Sequence, residues 1–318
     1  MRKWVGWSGA LAVVLAVAGC SKDQNPSPAP PQQGDGTVKS VASMVSGGAS
    51  FRVPFDAALS PDGKTAYFTA LVDEGAALFK VPAAGGTAAK LADLVSPGPL
   101  DVTSDGQTVV VADPGVESDT GALGALVSVS TSGGTPSVLG GTEGTMPRGV
   151  AISGGRIVFT GSDPADGSPG VFETSVGGGV TTLFKTGILE PSAVAIGTTG
   201  EVYVLDAESD GARTQHVVKI VSGAASEVMT GLRVGFPAGL AVAENGANLL
   251  VSSTDPNTGK ARLERFSVSG MAAGNPFTGT VGSFDEPAGL HRAAKSDSYA
   301  YVDSGASGAG TVFVVNPQ

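Results

Sequence analysis

Short apolar runs separated by Asp-Gly, Gly-Gly and Asn-Gly pairs fill the chain from Val38 onward. Apolar runs bounded by turn residues predict strands, and the turn pairs predict hairpins. Residues 236–267, FPAGLAVAENGANLLVSSTDPNTGKARLERFS, carry the pattern in full. A proline opens the unit, a short strand follows at 239–243, and Glu244-Asn245-Gly246 turns the chain into a second strand at 248–252. An Asp/Pro/Gly loop then leads to a third strand around 263–268. This order recurs six times, opening at Pro54, Pro99, Pro147, Pro191, Pro237 and Pro287, with spacings of 45, 48, 44, 46 and 50 residues. Self-similarity at that period marks a propeller or solenoid array.

The first repeat predicts four strands, a to d, at 56–59, 66–70, 77–81 and 88–91. Later a-to-b turns fall at Asp105-Gly106, Gly154-Gly155, Gly200-Glu201, Asn245-Gly246 and Ser296-Asp297, and glycine c-to-d turns at Gly133, Gly177, Gly223 and Gly270. Four antiparallel strands per repeat, without an amphipathic helix, predict radial blades. The last repeat runs out after strand c, near Val315, whereas residues 38–46, VKSVASMVS, precede the first proline as each strand d precedes the next one. The expected fold is therefore all-β, a six-bladed β-propeller closed by an N-terminal strand added to the last blade, which leaves no interior sheet edge unpaired.

Residues 1–20 carry Arg2 and Lys3 and then a short apolar run, the layout of a secretory signal peptide. Their end, Val17-Ala18-Gly19-Cys20, resembles the bacterial lipobox, which implies acylation of Cys20. Cys20 is the only cysteine, so intramolecular disulfides are excluded. Two or more acyl chains give stable membrane anchoring, and Ser21 in place of Asp points to the outer membrane. Residues 21–37, SKDQNPSPAPPQQGDGT, have no large apolar side chain and read as a Pro-rich disordered tether reaching roughly 55 Å when extended. The propeller is expected over 38–318.

Across 38–318 the repeats, PAGLAVAENGANLLV at Pro237 above all, resemble six-bladed NHL and SMP-30/gluconolactonase-like propellers, and PFDAALSPDGKTAYFTA at Pro54 is similar to the repeat of TolB-type propellers. The lactonase resemblance implies a divalent metal held by Asn and Asp just after the strand-a proline. Here those positions are Phe55, Leu100, Arg148, Ser192, Ala238 and Ala288, none of them a carboxylate or amide. Asp56 and Asp101 lie one residue further on, where they either approach one another or cap the start of the strand. His291 stands in a column otherwise filled by Ala58, Thr103, Ala151, Ala195 and Ala241, as a site residue or as packing in a divergent blade. His216, the other histidine, follows a polar loop and reads as a surface residue. No G-x-S-x-G elbow is present.

Without Arg2 and Lys3 the chain carries 17 basic and 29 acidic residues, a poor partner for nucleic acid. Twelve of the acidic side chains fall in the expected b-to-c loops, with Arg213 and Lys260 as the only basic ones. That predicts a negative rim including Asp113, Glu117, Asp119, Asp206, Glu208 and Asp210. Such a rim serves solvation, weak Ca²⁺ binding through the alternate carboxylates of Asp206-Glu208-Asp210 and Glu117-Asp119, or recognition of a basic protein or carbohydrate-like partner. Arg148, the one charged residue of the axial set, either attracts an anion or pairs with a carboxylate. No cofactor is required by these patterns. The expected function is a lipid-anchored protein of the bacterial cell envelope whose propeller binds or scaffolds a partner; the alternative is a metal-dependent hydrolase of lactones or esters.

Overall fold

The computed structural model describes residues 37–43, 51–209, 214–243, 246–269, 272–274 and 284–316. The expected signal peptide, Cys20, all of the tether but Thr37, residues 44–46 of the closing segment, Asp210 and Arg213 lie outside them.

Six four-stranded antiparallel sheets make up the fold. Blade 1 holds β2 (Arg52–Leu59), β3 (Thr65–Leu71), β4 (Ala76–Pro82) and β5 (Ala89–Leu94). Blade 2 holds β6 (Leu100–Val102), β7 (Thr108–Glu117), β8 (Leu123–Ser130) and β9 (Ser137–Val138). Blade 3 is β10 (Gly149–Ser153), β11 (Arg156–Ser162), β12 (Pro169–Thr174) and β13 (Thr181–Phe184). Blade 4 is β14 (Ala193–Ile196), β15 (Val202–Ala207), β16 (Gln215–Val221) and β17 (Ala224–Leu232). Blade 5 is β18 (Gly239–Ala243), β19 (Asn248–Thr254), β20 (Ala261–Ser267) and β21 (Ala272–Gly274). The sixth sheet runs β22 (Pro287–Arg292), β23 (Tyr299–Asp303), β24 (Thr311–Asn316) and then β1 (Thr37–Ser43), in that spatial order.

Closure by the N-terminal strand is as expected. β1 pairs antiparallel with β24, Val38 opposite Val315 and Ser43 opposite Thr311. Each of the six blade interfaces has its own buried apolar cluster. The one between blades 6 and 1 joins Val41 and Ala42 of β1 with Phe51, Phe68, Phe79, Val312 and Val314. Phe68 and Phe79 stack on each other at 5.2 Å, and Phe51 meets them edge-on at 5.0 Å and tilted at 5.5 Å, respectively. Period-2 alternation puts the inward residues of one sheet against the outward residues of the next, so every blade is covered on both faces.

The first two a-to-b turns show how local sequence sets the hairpins. In Ser60-Pro61-Asp62-Gly63, Asp62 accepts the Ser60 hydroxyl at 2.7 Å and the Lys64 amide at 3.1 Å, and Gly63 takes φ +72°. In Thr103-Ser104-Asp105-Gly106, Asp105 accepts the Thr103 hydroxyl at 2.6 Å and the Gln107 amide at 3.0 Å. Side-chain hydrogen bonds to Ser60 and Thr103 hold both carboxyls below the usual range.

Candidate functional site: the two ends of the axial channel

The innermost strands β2, β6, β10, β14, β18 and β22 line the channel, and each has an inner edge whose main-chain groups have no neighbouring strand. Buried amides left in that state are costly, so something must satisfy them. Two carboxylates do so on one side. Asp56 is fully buried and accepts the Ala57 amide at 2.8 Å and, from the next blade, the Leu100 amide at 2.9 Å. Asp101 accepts the Val102 amide and, again from the next blade, the Ile152 amide, both at 2.7 Å. Their position two residues after the opening proline is held in the other blades by Gly149, Ala193, Gly239 and Gly289. At Gly289 a Cβ would lie 1.5 Å from Asp56 Oδ1, so only glycine leaves room for the carboxylate.

His291 Nε2 donates to Asp56 Oδ2 at 2.9 Å. Burial by itself would lower the imidazole, but the charge of Asp56, its hydrogen bond and the charge of Asp101 outweigh it and raise His291 to about 9. Burial raises the Asp101 carboxyl to about 6, against the pull of His291 and the two amides. His291 is thus an ion-paired axial residue, and Asp56 and Asp101 tie neighbouring blades together.

A metal of the kind implied by the lactonase resemblance does not fit this arrangement. The positions just after the prolines carry no hard ligand, and the carboxylates one residue on already accept two main-chain amides each. No group of three His, Cys, Asp or Glu side chains suited to a metal occurs among the described residues.

One end of the channel is covered by aromatic rings. Phe55 of blade 1 and Phe236, just before blade 5, meet edge to face at 5.4 Å although blade 6 lies between them. They sit on the face formed by the d-to-a and b-to-c connections. At the opposite face, among the a-to-b turns, the channel widens into a cavity of about 400 Å³ that reaches down to Asp101 and His291.

The acidic rim on the first face is reduced by three kinds of contact. Asp113, Asp206 and Asp303, near the ends of the second strands of blades 2, 4 and 6, turn inward and are buried. Asp113 accepts the Val95, Ser96 and Gly115 amides at 2.9 to 3.1 Å. Asp206 accepts those of Leu189 and Glu190, the shortest at 2.7 Å. Asp303 accepts four, from Asp285, Glu286, Gly305 and Ala306. Each pins the loop that leads into its own blade, and Ala70, Gly161 and Ser253 stand at the corresponding point of the other three blades.

Basic residues outside the loops neutralise a second group. Lys185 lies 2.9 Å from Asp163 and 3.1 Å from Asp166, Arg52 3.4 Å from Asp73, and Arg262 3.5 Å from Asp255. Glu208 is taken up by the Thr214 hydroxyl and the Gly231 amide. Arg148 pairs with Glu190 at 2.6 Å. Glu117 and Asp119 remain exposed without a basic partner among the described residues. The loops taken alone do not show this, because Arg52 and Arg262 sit on strands and Lys185 follows β13. His216 is also more buried than a surface residue: it lies on β16 opposite Asp206, with Nδ1 3.0 Å from Glu227.

The same face carries apolar side chains that sequence reasoning did not single out. Val53, Leu71, Val95, Leu123, Met146, Leu189 and Phe236 are all exposed there, Phe236 at 69%. Only the recurrence of a large apolar residue shortly before the opening prolines signalled it.

No protein-family model matches the chain, and no curated protein matches it significantly. Solved structures do. The PQQ-bound aldose sugar dehydrogenase of Streptomyces coelicolor superposes with TM-score 0.60 at 15% identity, over 91% of this chain and 100% of that one. A gluconolactonase of Xanthomonas campestris gives 0.59 at 13%, over 91% and 97%. TolB of Acinetobacter baumannii gives 0.55 at 16%, over 70% of this chain and 53% of the other. The likeness is one of fold. It places the chain beside gluconolactonase-like and TolB-like six-bladed propellers, and at these identities the reacting groups of those proteins do not carry over.

Proposed function

We propose that this chain is a lipid-anchored protein of the bacterial cell envelope, held through Cys20 at the outer membrane, whose propeller binds a protein partner on the d-to-a face. The observation that carries this reading is the presence of seven exposed apolar side chains on that one face, Phe236 of the Phe55–Phe236 pair among them. Apolar patches rimmed by polar groups mark interaction surfaces. Glu117 and Asp119, exposed on the same face, favour a partner with basic residues at its own rim, since rim charges set orientation and association rate.

A photo-crosslinking residue in place of Leu189 is expected to give a discrete protein adduct in envelope preparations, and Phe236→Asp to abolish it. An equal adduct from position 64, in an a-to-b turn on the other face, would overturn the assignment. Cys20→Ser is expected to release the protein from membranes; persistence there would refute the anchor.

The gluconolactonase-like neighbours support the enzymatic alternative at the level of fold. Against it stands the prior engagement of Asp56 and Asp101 with main-chain amides. Lactone turnover by the purified protein that a chelator abolishes would reverse this preference.

A further inference from the structure

The cavity among the a-to-b turns is independent of the docking face and has features of a ligand site. Its floor holds His291, whose Nε2 is committed to Asp56. Its Nδ1 has no partner among the described residues, and the residue lines the cavity. The imidazole, charged below about pH 9, presents that nitrogen as a donor. Beside it Asp101 faces the same space.

The wall across the cavity is built from β14 and β18, where no side chain among the described residues does what Asp56 and Asp101 do for the first three blades. In an antiparallel ladder, alternate residues turn their N–H and C=O away from the partner strand. In β6 and β10 the amides of Val102 and Ile152, three and five residues after the proline, point to the axis, because they donate to Asp101. The same positions in β14 and β18 are Val194, Ile196, Leu240 and Val242. All four line the cavity, and their axis-facing main-chain groups have no partner from another element among the described residues. At the rim stands Lys295, exposed and in no ion pair among the described residues, whereas its neighbour Arg292 is held by Asp297 at 3.0 Å.

We propose that this cavity binds a small hydroxycarboxylate: the carboxylate is received by His291 Nδ1–H and Lys295, and the hydroxyl bridges Asp101 and the inner-edge main-chain groups of β14 and β18. Paired donor and acceptor groups along a bare strand edge suit a hydroxyl, which supplies both. Two cationic donors, one at the floor and one at the mouth, suit a carboxylate. A volume of about 400 Å³ is of metabolite size. The site lies at the end of the channel away from the aromatic cover, so ligand and docking partner need not compete.

Titration calorimetry of the purified full chain tests this, with malate as probe and succinate and threitol as controls. Malate is expected to bind saturably with unit stoichiometry, at least tenfold more tightly than succinate, which lacks the hydroxyl, and than threitol, which lacks the carboxylates. Lys295→Glu, a change at an exposed position, is expected to weaken malate at least tenfold with an unchanged melting temperature. His291→Gln is expected to weaken it further, with folding checked by circular dichroism. Absence of saturable malate binding at millimolar concentration, or malate binding indifferent to Lys295→Glu, overturns the proposal. Equal affinity for malate and succinate overturns the part given to Asp101.

Discussion

At the scale of single residues, the carboxylates of this chain divide by what their oxygens touch. Asp62 and Asp105 organise exposed turns, whereas Asp56, Asp101, Asp113, Asp206 and Asp303 collect main-chain amides that no strand satisfies. Asp303→Ala strands four amides in two partly buried segments, 285–286 and 305–306. It is expected to lower unfolding free energy by about 2–3 kcal/mol in urea titration, against under about 1 kcal/mol for Asp105→Ala. His291→Leu removes the cation paired with buried Asp56, and a loss of about 3–5 kcal/mol is expected by the same measurement. Both His291 and Asp101 have raised pKa values, so each favours folding most when protonated. Stability is therefore expected to fall as pH rises through about 6, where Asp101 ionises, and again through about 9, where His291 loses its proton. Melting temperatures between pH 5 and 10 check this, and Asp101→Asn is expected to remove the first fall. In the sequence, Asp56 and Asp101 stood out as carboxylates one residue beyond the post-proline positions, and His291 because it breaks a column of small residues. Their partners did not, since hydrogen bonds between blades join positions such as Asp56 and Leu100 that no local spacing relates.

At the scale of elements, the strands were legible because each is short, apolar and bounded by turn pairs. The a-to-b hairpins in particular follow directly from Ser-Pro-Asp-Gly and Thr-Ser-Asp-Gly. Strand ends were less so. β7 runs on to Glu117 through Asp113-Pro114-Gly115, residues that read as loop, because Asp113 folds back to accept the Gly115 amide and β8 keeps pairing as far as Leu123 opposite Glu117. The closing strand was predicted from a missing fourth strand at the far end of the chain, and its place in the 6/1 interface gives it a measurable weight. Val41→Asp puts a charge among Phe51, Val312 and Val314, and is expected to cost about 3 kcal/mol or more in urea titration. The same charge at exposed Thr37, the first residue of β1, is expected to have little effect.

At the scale of the whole molecule, the two ends of the channel differ in kind. One carries exposed apolar residues, inward-turned carboxylates and the Phe55–Phe236 cover; the other is an open cavity floored by an ion pair. The sequence showed the acidic excess of the connecting loops but not its fate, because burial and pairing with Lys185, Arg52 and Arg262 depend on neighbours brought in by the ring. Phe236→Asp is accordingly expected to leave the melting temperature within about 2 °C of the parent, as read by differential scanning calorimetry, while abolishing the adduct from position 189.

The sixth sheet draws its outer strand from the beginning of the chain and the other three from its end. During synthesis the segment around Val41 is made long before its hydrogen-bonding partner around Val312. The circle therefore stays open until β24 is free to pair, and contacts this distant in sequence form slowly.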